Sequence, residues 1–190
     1  GSGNAAHTLC ALNELFDFPL SAAKISTLAA ALGSDVPFFL QSQPALATGR
    51  GEQVQQLVPF PALRGAHLLL IHPGFGVSTA WAYQNLARFP DALNGRAGRA
   101  EELLQLLRGT DLAAAGRAFY NSLEAPVLAK HPLLALYQEF LRVNGAAATL
   151  MSGSGSTTFA LAGNKEAAHR LRERFTAKFG SSAWTAVVAL

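Results

Sequence analysis

Three stretches of the chain hold candidate functional residues, and two of them suit phosphate. The first is LGSDVPFFL, Leu32 to Leu40, where Asp35 stands between a helix that ends at Gly33 and an apolar run through Pro37, Phe38, Phe39 and Leu40. Glycine after a periodic helix is a common stop because it takes the left-handed conformation without steric cost. The apolar run reads as a short buried strand, which puts Asp35 where a helix turns into the core. A carboxylate there is costly unless something polar needs it. Asp17, before Pro19, and Asp91, after Pro90, read as loop residues, and Asp111 reads as a helix N-cap. Read alone, Asp35 is first of all a turn or cap residue too. The second stretch is Gly1-Ser2-Gly3-Asn4-Ala5-Ala6, leading into Leu9, Leu12 and Phe16 at helical spacing. Backbone N–H groups and the helix dipole at such a start attract phosphate, although a cloning scar followed by an ordinary cap reads equally well. The third is the loop Ser152-Gly153-Ser154-Gly155-Ser156-Thr157 between two apolar strands. It offers N–H groups and hydroxyls with no bulky side chain in the way. By itself it is also a plain flexible hairpin, and it is no Walker A loop, since no Gly-Lys-Ser/Thr follows.

The elements that must position these stretches follow from pattern and punctuation. Ser21 caps a helix over 22–32 that delivers Asp35. Residues 45–48 and 53–57 form a hairpin across Gly49-Arg50-Gly51-Glu52. Pro59-Phe60-Pro61 pairs poorly in a sheet and marks a domain boundary, giving domains 1–60 and 61–190. The second half opens with a strand at 67–72, then Pro73-Gly74-Phe75-Gly76 and a helix capped by Ser78 or Thr79. Helices follow at 100–107, 112–118 and 133–144, with Asn121-Ser122-Leu123-Glu124 as a polar turn among them. Strands at 147–151 and 158–162 flank the Gly/Ser loop, and a helix at 165–179 precedes a strand at 184–188. The order strand, helices, strand, strand, helix, strand predicts an α+β sandwich of the ferredoxin-like kind, an antiparallel sheet backed by helices.

Composition narrows the function classes. The chain has 190 residues, 50% hydrophobic and 14% charged, which is the balance of a globular protein. No apolar run is long enough to span a bilayer and no signal-peptide pattern opens the chain, so no membrane partner is expected. Cys10 is the single cysteine; it is expected to pack on a helix face, and a cytoplasmic setting is the default. The pI is near 9.4 but the net charge is only +3. Arg170, Arg172 and Arg174 alternate with Glu166 and Glu173 on a predicted helix, a solvated face rather than a nucleic-acid site.

In their order and intervals these stretches resemble the GHMP kinase superfamily. The resemblance runs through GSGNAA (Gly1 to Ala6), LGSDVPFFL, ATGRGE (Ala47 to Glu52), HPGFGVSTAWAY (His72 to Tyr83), NSLE (Asn121 to Glu124) and LMSGSGSTTFAL (Leu150 to Leu161). It implies a two-domain fold: part of a ribosomal-protein-S5-like N-terminal domain, then the ferredoxin-like domain. It also implies an ATP- and Mg²⁺-dependent kinase for a small-molecule alcohol. GSDVPFFL, P-x-x-x-V-S-T and NSLE resemble more narrowly the members that phosphorylate the 2-hydroxyl of 4-diphosphocytidyl-2-C-methyl-D-erythritol in non-mevalonate isoprenoid biosynthesis. By this resemblance Asp35 takes the proton of the acceptor hydroxyl or orients it, and Gly1, Ser2, Gly3 and Asn4 end the ATP-phosphate cradle. Gly153, Ser154, Gly155 and Ser156 close over phosphate or substrate, and Thr79 lies near the acceptor. The metal ligands and the oligomeric state are not implied. An upstream half-domain with a lysine beside the aspartate, which such kinases carry, has no match here, so these residues alone are expected to turn over little or not at all. A mevalonate, homoserine or sugar kinase of the superfamily, or a non-catalytic α+β binding module, remain the alternatives.

Overall fold

The computed structural model describes residues 1–190 apart from the side chain of Asn94 and divides them into two units, Gly1–Pro59 and Phe60–Leu190. In the first unit, α1 (Ser2–Leu15) and α2 (Ala22–Leu32) pack with a 3-10 turn, Pro37–Leu40. A hairpin of β1 (Ala45–Thr48) and β2 (Gln53–Gln56) follows. Ser21 caps α2 as expected, its hydroxyl accepting the Lys24 N–H at 3.4 Å.

Ala6, Ala29 and Val36 form the centre of this unit, with Ala5, Leu9 and Leu40 against them. The expected α1 face is thus right in direction but covered only along its first half: Leu9 packs, whereas Leu12 is 47% and Phe16 68% exposed. Cys10 is exposed rather than packed on that face.

Two further expectations change around Asp35. Gly33 ends α2 with its N–H on the Ala29 carbonyl, but at φ 168° it is extended, not left-handed. The apolar run after Asp35 is the 3-10 turn, not a strand. Proline has no N–H to lose and a preset φ at a first helical position, and Pro37 stands there. The Phe39 N–H then reaches the Val36 carbonyl at 3.1 Å. Val36 and Pro37 are buried while Phe39 is 42% exposed, so the run anchors the Asp35 turn at its start only.

The second unit is built on β3 (His67–His72), followed by α3 (Thr79–Leu86), α4 (Pro90–Asn94), α5 (Arg99–Arg108), α6 (Leu112–Ala118), α7 (Glu124–Lys130) and α8 (Pro132–Val143). Then come β4 (Ala148–Met151), β5 (Thr158–Ala162), α9 (Lys165–Phe179) and β6 (Trp184–Ala189). The four strands make an antiparallel sheet in the order β4-β5-β3-β6. This is the predicted α+β arrangement, with α8 and α9 against the sheet.

Its core is legible residue by residue. Leu69 and Ile71 of β3 point to the helices, and Leu141 of α8 and Leu171 and Phe175 of α9 meet them. Tyr137 and Phe175 pack edge to face at 4.7 Å between centroids. Asn164 caps α9 through the Ala167 N–H at 2.8 Å, and Asp111 caps α6 through Ala114 at 2.9 Å. Asp91 is not in a loop; it lies in the first turn of α4, just after Pro90. Of the two hydroxyl residues before α3, Ser78 is the cap and Thr79 the first helical residue.

Candidate active site

In the first unit, Asp35 is exposed in the turn between α2 and the 3-10 turn. Its neighbours on the C-terminal side, Val36 and Pro37, are buried and fix the turn to the small core. No hydrogen bond to its carboxylate occurs among the described residues. The β1–β2 turn comes up against the Asp35 side chain: a methyl group built on Gly51 would lie 2.6 Å from Oδ1. That turn is shaped by Glu52, whose carboxylate accepts the Arg50 N–H at 2.8 Å. Backbone N–H donors, its own and that of Arg50, hold the Glu52 carboxyl below the usual range.

Gly1 precedes α1 and its carbonyl accepts the Ala5 N–H at 3.1 Å, so Ser2, Gly3 and Asn4 form the first turn. No side chain caps that turn. A methyl on Gly3 would sit 3.5 Å from the Phe39 ring, so this first turn packs on the 3-10 turn that follows Asp35. The fold of the first unit therefore brings the GSGN stretch and the Asp35 turn to neighbouring elements.

In the second unit the loop 152–157 joins β4 to β5. It closes on itself through Ser152 N–H to the Thr157 carbonyl at 2.8 Å and Gly155 N–H to the Ser152 carbonyl at 2.9 Å. Gly155 has φ +85°, and a methyl there would meet Met151 Sδ at 2.5 Å, so both its conformation and its space call for glycine. The four candidate loop residues differ in role. The Ser156 hydroxyl is buried and donates to the Phe75 carbonyl, pinning the loop to the Pro73–Gly76 turn. Gly153 is exposed and Ser154 half-buried. The Ser154 hydroxyl bonds that of Thr79 at 2.8 Å, so two of the predicted site residues, 75 positions apart, meet directly.

Beneath the loop lies the NSLE turn. Asn121 Nδ2 donates to the carbonyls of Met151 at 2.8 Å and Gly153 at 2.7 Å, while its Oδ1 accepts the Leu123 N–H at 3.0 Å. Glu124 Oε1 accepts the Met151 N–H at 2.7 Å and Gln138 Nε2 at 2.6 Å. Burial pushes the Glu124 carboxyl above its ordinary value, and the Met151 and Gln138 donors and the Arg142 charge offset part of that. Asn121 and Glu124 hold the loop from beneath, and a search for reactive side chains passes over both. Their signal was the polar turn itself, set among helices of apolar sequence. No group of three or more His, Cys, Asp or Glu side chains that could hold a metal ion occurs among the described residues.

Residues 100–181, from α5 through α9 and including the Gly/Ser loop, match the family model described as GHMP kinases C terminal. Those residues thus carry a GHMP kinase C-terminal domain. Among individual proteins, the chain is 41% identical over 178 residues to 4-diphosphocytidyl-2-C-methyl-D-erythritol kinase of Synechococcus sp. (strain JA-3-3Ab), a match covering 91% of this chain and 57% of that protein. A crystal structure of 4-(cytidine 5'-diphospho)-2C-methyl-D-erythritol kinase superposes with TM-score 0.69 at 30% identity, covering 100% of this chain and 65% of the other. Homoserine kinase from Cytophaga hutchinsonii superposes with TM-score 0.72 at 21% identity over 94% of this chain and 61% of its own. The chain thus spans about 57–62% of the length of the curated relatives it matches. No helix of the structure is long and apolar enough to cross a membrane.

Proposed function

We propose that this chain carries the acid and the C-terminal loop of an ATP-dependent kinase that phosphorylates the 2-hydroxyl of 4-diphosphocytidyl-2-C-methyl-D-erythritol. The observation that carries the reading is the 41% identity over 91% of the chain to a relative of that name. Fold alone does not choose a substrate, since the homoserine kinase superposes at least as well.

In this reading residues 1–60 belong to the ATP-binding domain and residues 61–190 are the C-terminal domain. The substrate oxygen attacks the γ-phosphorus of ATP, the bond to ADP breaks, and the hydroxyl proton passes to the Asp35 carboxylate. The exposed, unbonded carboxylate supports that role. Ser2, Gly3 and Asn4, with Gly1 before them, present the N–H groups of an uncapped first turn to phosphate. Gly153 to Ser156 serve as a phosphate or substrate loop held by Ser156, and Thr79, paired with Ser154, is a substrate-proximal residue. ATP supplies the phosphoryl group, and Mg²⁺ commonly arrives on substrate phosphates with several of its waters rather than in an all-protein cage. A cytoplasmic setting suits such a reaction.

The test is a coupled ADP-release assay on the chain joined to the part of the Synechococcus relative that lies outside the match, with and without Asp35→Asn. Turnover with the cytidylyl substrate that falls at least about 10²-fold in the variant is expected for a lost general base. Turnover of homoserine or mevalonate instead, with no competition by cytidine nucleotides, would replace the substrate. No turnover of any of them would remove the kinase reading.

A further inference from the structure

We infer that Gly51 is a positioning residue for Asp35: the β1–β2 turn sets the direction of that carboxylate by backbone contact. The inference rests on the reading of Asp35 as the base. The Gly51 N–H bonds the Thr48 carbonyl at 3.1 Å, which ties its backbone to the hairpin register. Its φ is +116°, a conformation that side chains rarely adopt. A methyl at Gly51 would lie 2.6 Å from Asp35 Oδ1 and 3.4 Å from the Ser34 carbonyl. Ordinary contact begins near 3.4 Å, so Oδ1 would have to retreat by about 3.4 − 2.6 = 0.8 Å. No hydrogen bond holds the carboxylate among the described residues. The bare Cα of Gly51 is therefore the wall on one side of Asp35, and the open side is where an acceptor hydroxyl approaches.

The same turn contains its own control. Gly49 also has positive φ, +70°, but a methyl there would meet Glu52 Oε1, at 2.7 Å. Glutamate has one more torsion than aspartate with which to yield. Gly49→Ala and Gly51→Ala both meet a positive-φ backbone penalty, the larger at Gly51, whose φ of +116° lies outside the left-handed region, and they differ in which carboxylate they push.

In the joined protein of the ADP-release assay, Gly51→Ala should lower kcat by about 10²-fold, the usual loss for misplacing a reacting group by about 1 Å. KM and the kcat of Gly49→Ala should stay within about 3-fold of the parent. In an Asp35→Asn background, Gly51→Ala should cost no further kcat, because it acts through the group already removed. Equal losses from both glycine variants, or a Gly51→Ala loss that persists with Asp35→Asn, overturn the inference. An Asp35→Asn protein with full activity overturns instead the reading beneath it. Thermal melting gives a second readout independent of turnover. Gly51→Ala should melt below Gly49→Ala, and adding Asp35→Ala should recover the part of the difference that comes from the contact, leaving the backbone cost at φ +116°. A Tm of Gly51→Ala that Asp35→Ala does not raise at all also counts against the positioning role.

Discussion

Replacing Asn121 should loosen the Gly/Ser loop from beneath while leaving every residue of that loop in place. The Asn121 side chain makes three hydrogen bonds, two to the carbonyls of Met151 and Gly153 and one from the Leu123 N–H. Each contributes about 0.5–1.5 kcal/mol net, so Asn121→Ala should cost about 2–3 kcal/mol. For a chain of this size that lowers Tm by about 5–10 °C. Asn121→Asp is the sharper variant. It keeps the acceptor for Leu123 but loses both donors and aims a carboxylate at two carbonyl oxygens, so it should cost at least as much as alanine. Urea unfolding followed by tryptophan fluorescence reports on the right unit, since Trp81 and Trp184 both lie in it. Hydrogen exchange at Ser152 and Gly155, whose N–H groups close the loop, should quicken in both variants. An Asn121→Asp protein as stable as the parent, with unchanged exchange at those two amides, would refute the view that this amide holds the loop.

Glu124 adds a pH dependence with a definite sign. Its folded pKa lies above the unfolded value of 4.5, so its contribution is full below that value and is lost as pH rises through the folded pKa. Glu124→Gln keeps an acceptor for Met151 and Gln138, and the parent-minus-variant difference in unfolding free energy should fall from acid toward neutral pH; a flat difference would contradict the assignment. In the core, Phe175 is 0% exposed against Tyr137 and Phe179, and Phe175→Ala should destabilise by about 3–5 kcal/mol in denaturant melts. A loss under about 1 kcal/mol would mean that this aromatic cluster is not the packing centre it looks to be.

Much of the fold could be read before the structure because local and tertiary signals agree in the second unit. The helix over 165–179 is amphipathic, capped by Asn164 and stopped by Gly180, and its buried residues Ala168, Leu171 and Phe175 keep helical spacing. The strands 67–72 and 158–162 are apolar and bounded by turn residues, and they fall where pattern alone put them. The first unit was harder for a physical reason. Val36 to Leu40 is apolar enough for a buried strand, and only Pro37 in the first helical position hints at the 3-10 turn that forms. Along α1, periodicity finds the apolar stripe but not how far the neighbouring elements reach, so Leu12 and Phe16 looked buried and are not.

The candidate site was legible as chemistry and opaque as mechanics. Residue type singles out Asp35, the GSGN start and the Gly/Ser loop, but it cannot rank Ser154 against Ser156. One hydroxyl is partly open and faces Thr79; the other is buried and serves as a pin. That difference is made by Phe75, 81 positions away in sequence, whose carbonyl takes the Ser156 proton. The loop's outline comes from Asn121 and Glu124, and the direction of Asp35 from the bare backbone of Gly51, none of which need react with anything. Phosphoryl transfer depends mostly on where charges and donors are held rather than on reactive protein groups. In the proposed kinase reading, residues that hold the candidate ones are then as consequential as Asp35, and they are the ones a search by reactive side chain passes over. Motif resemblance kept ATGRGE and NSLE in view without a mechanism for either; in the folded chain Gly51 lies against Asp35, and Asn121 and Glu124 bond to the backbone at the start of the Gly/Ser loop.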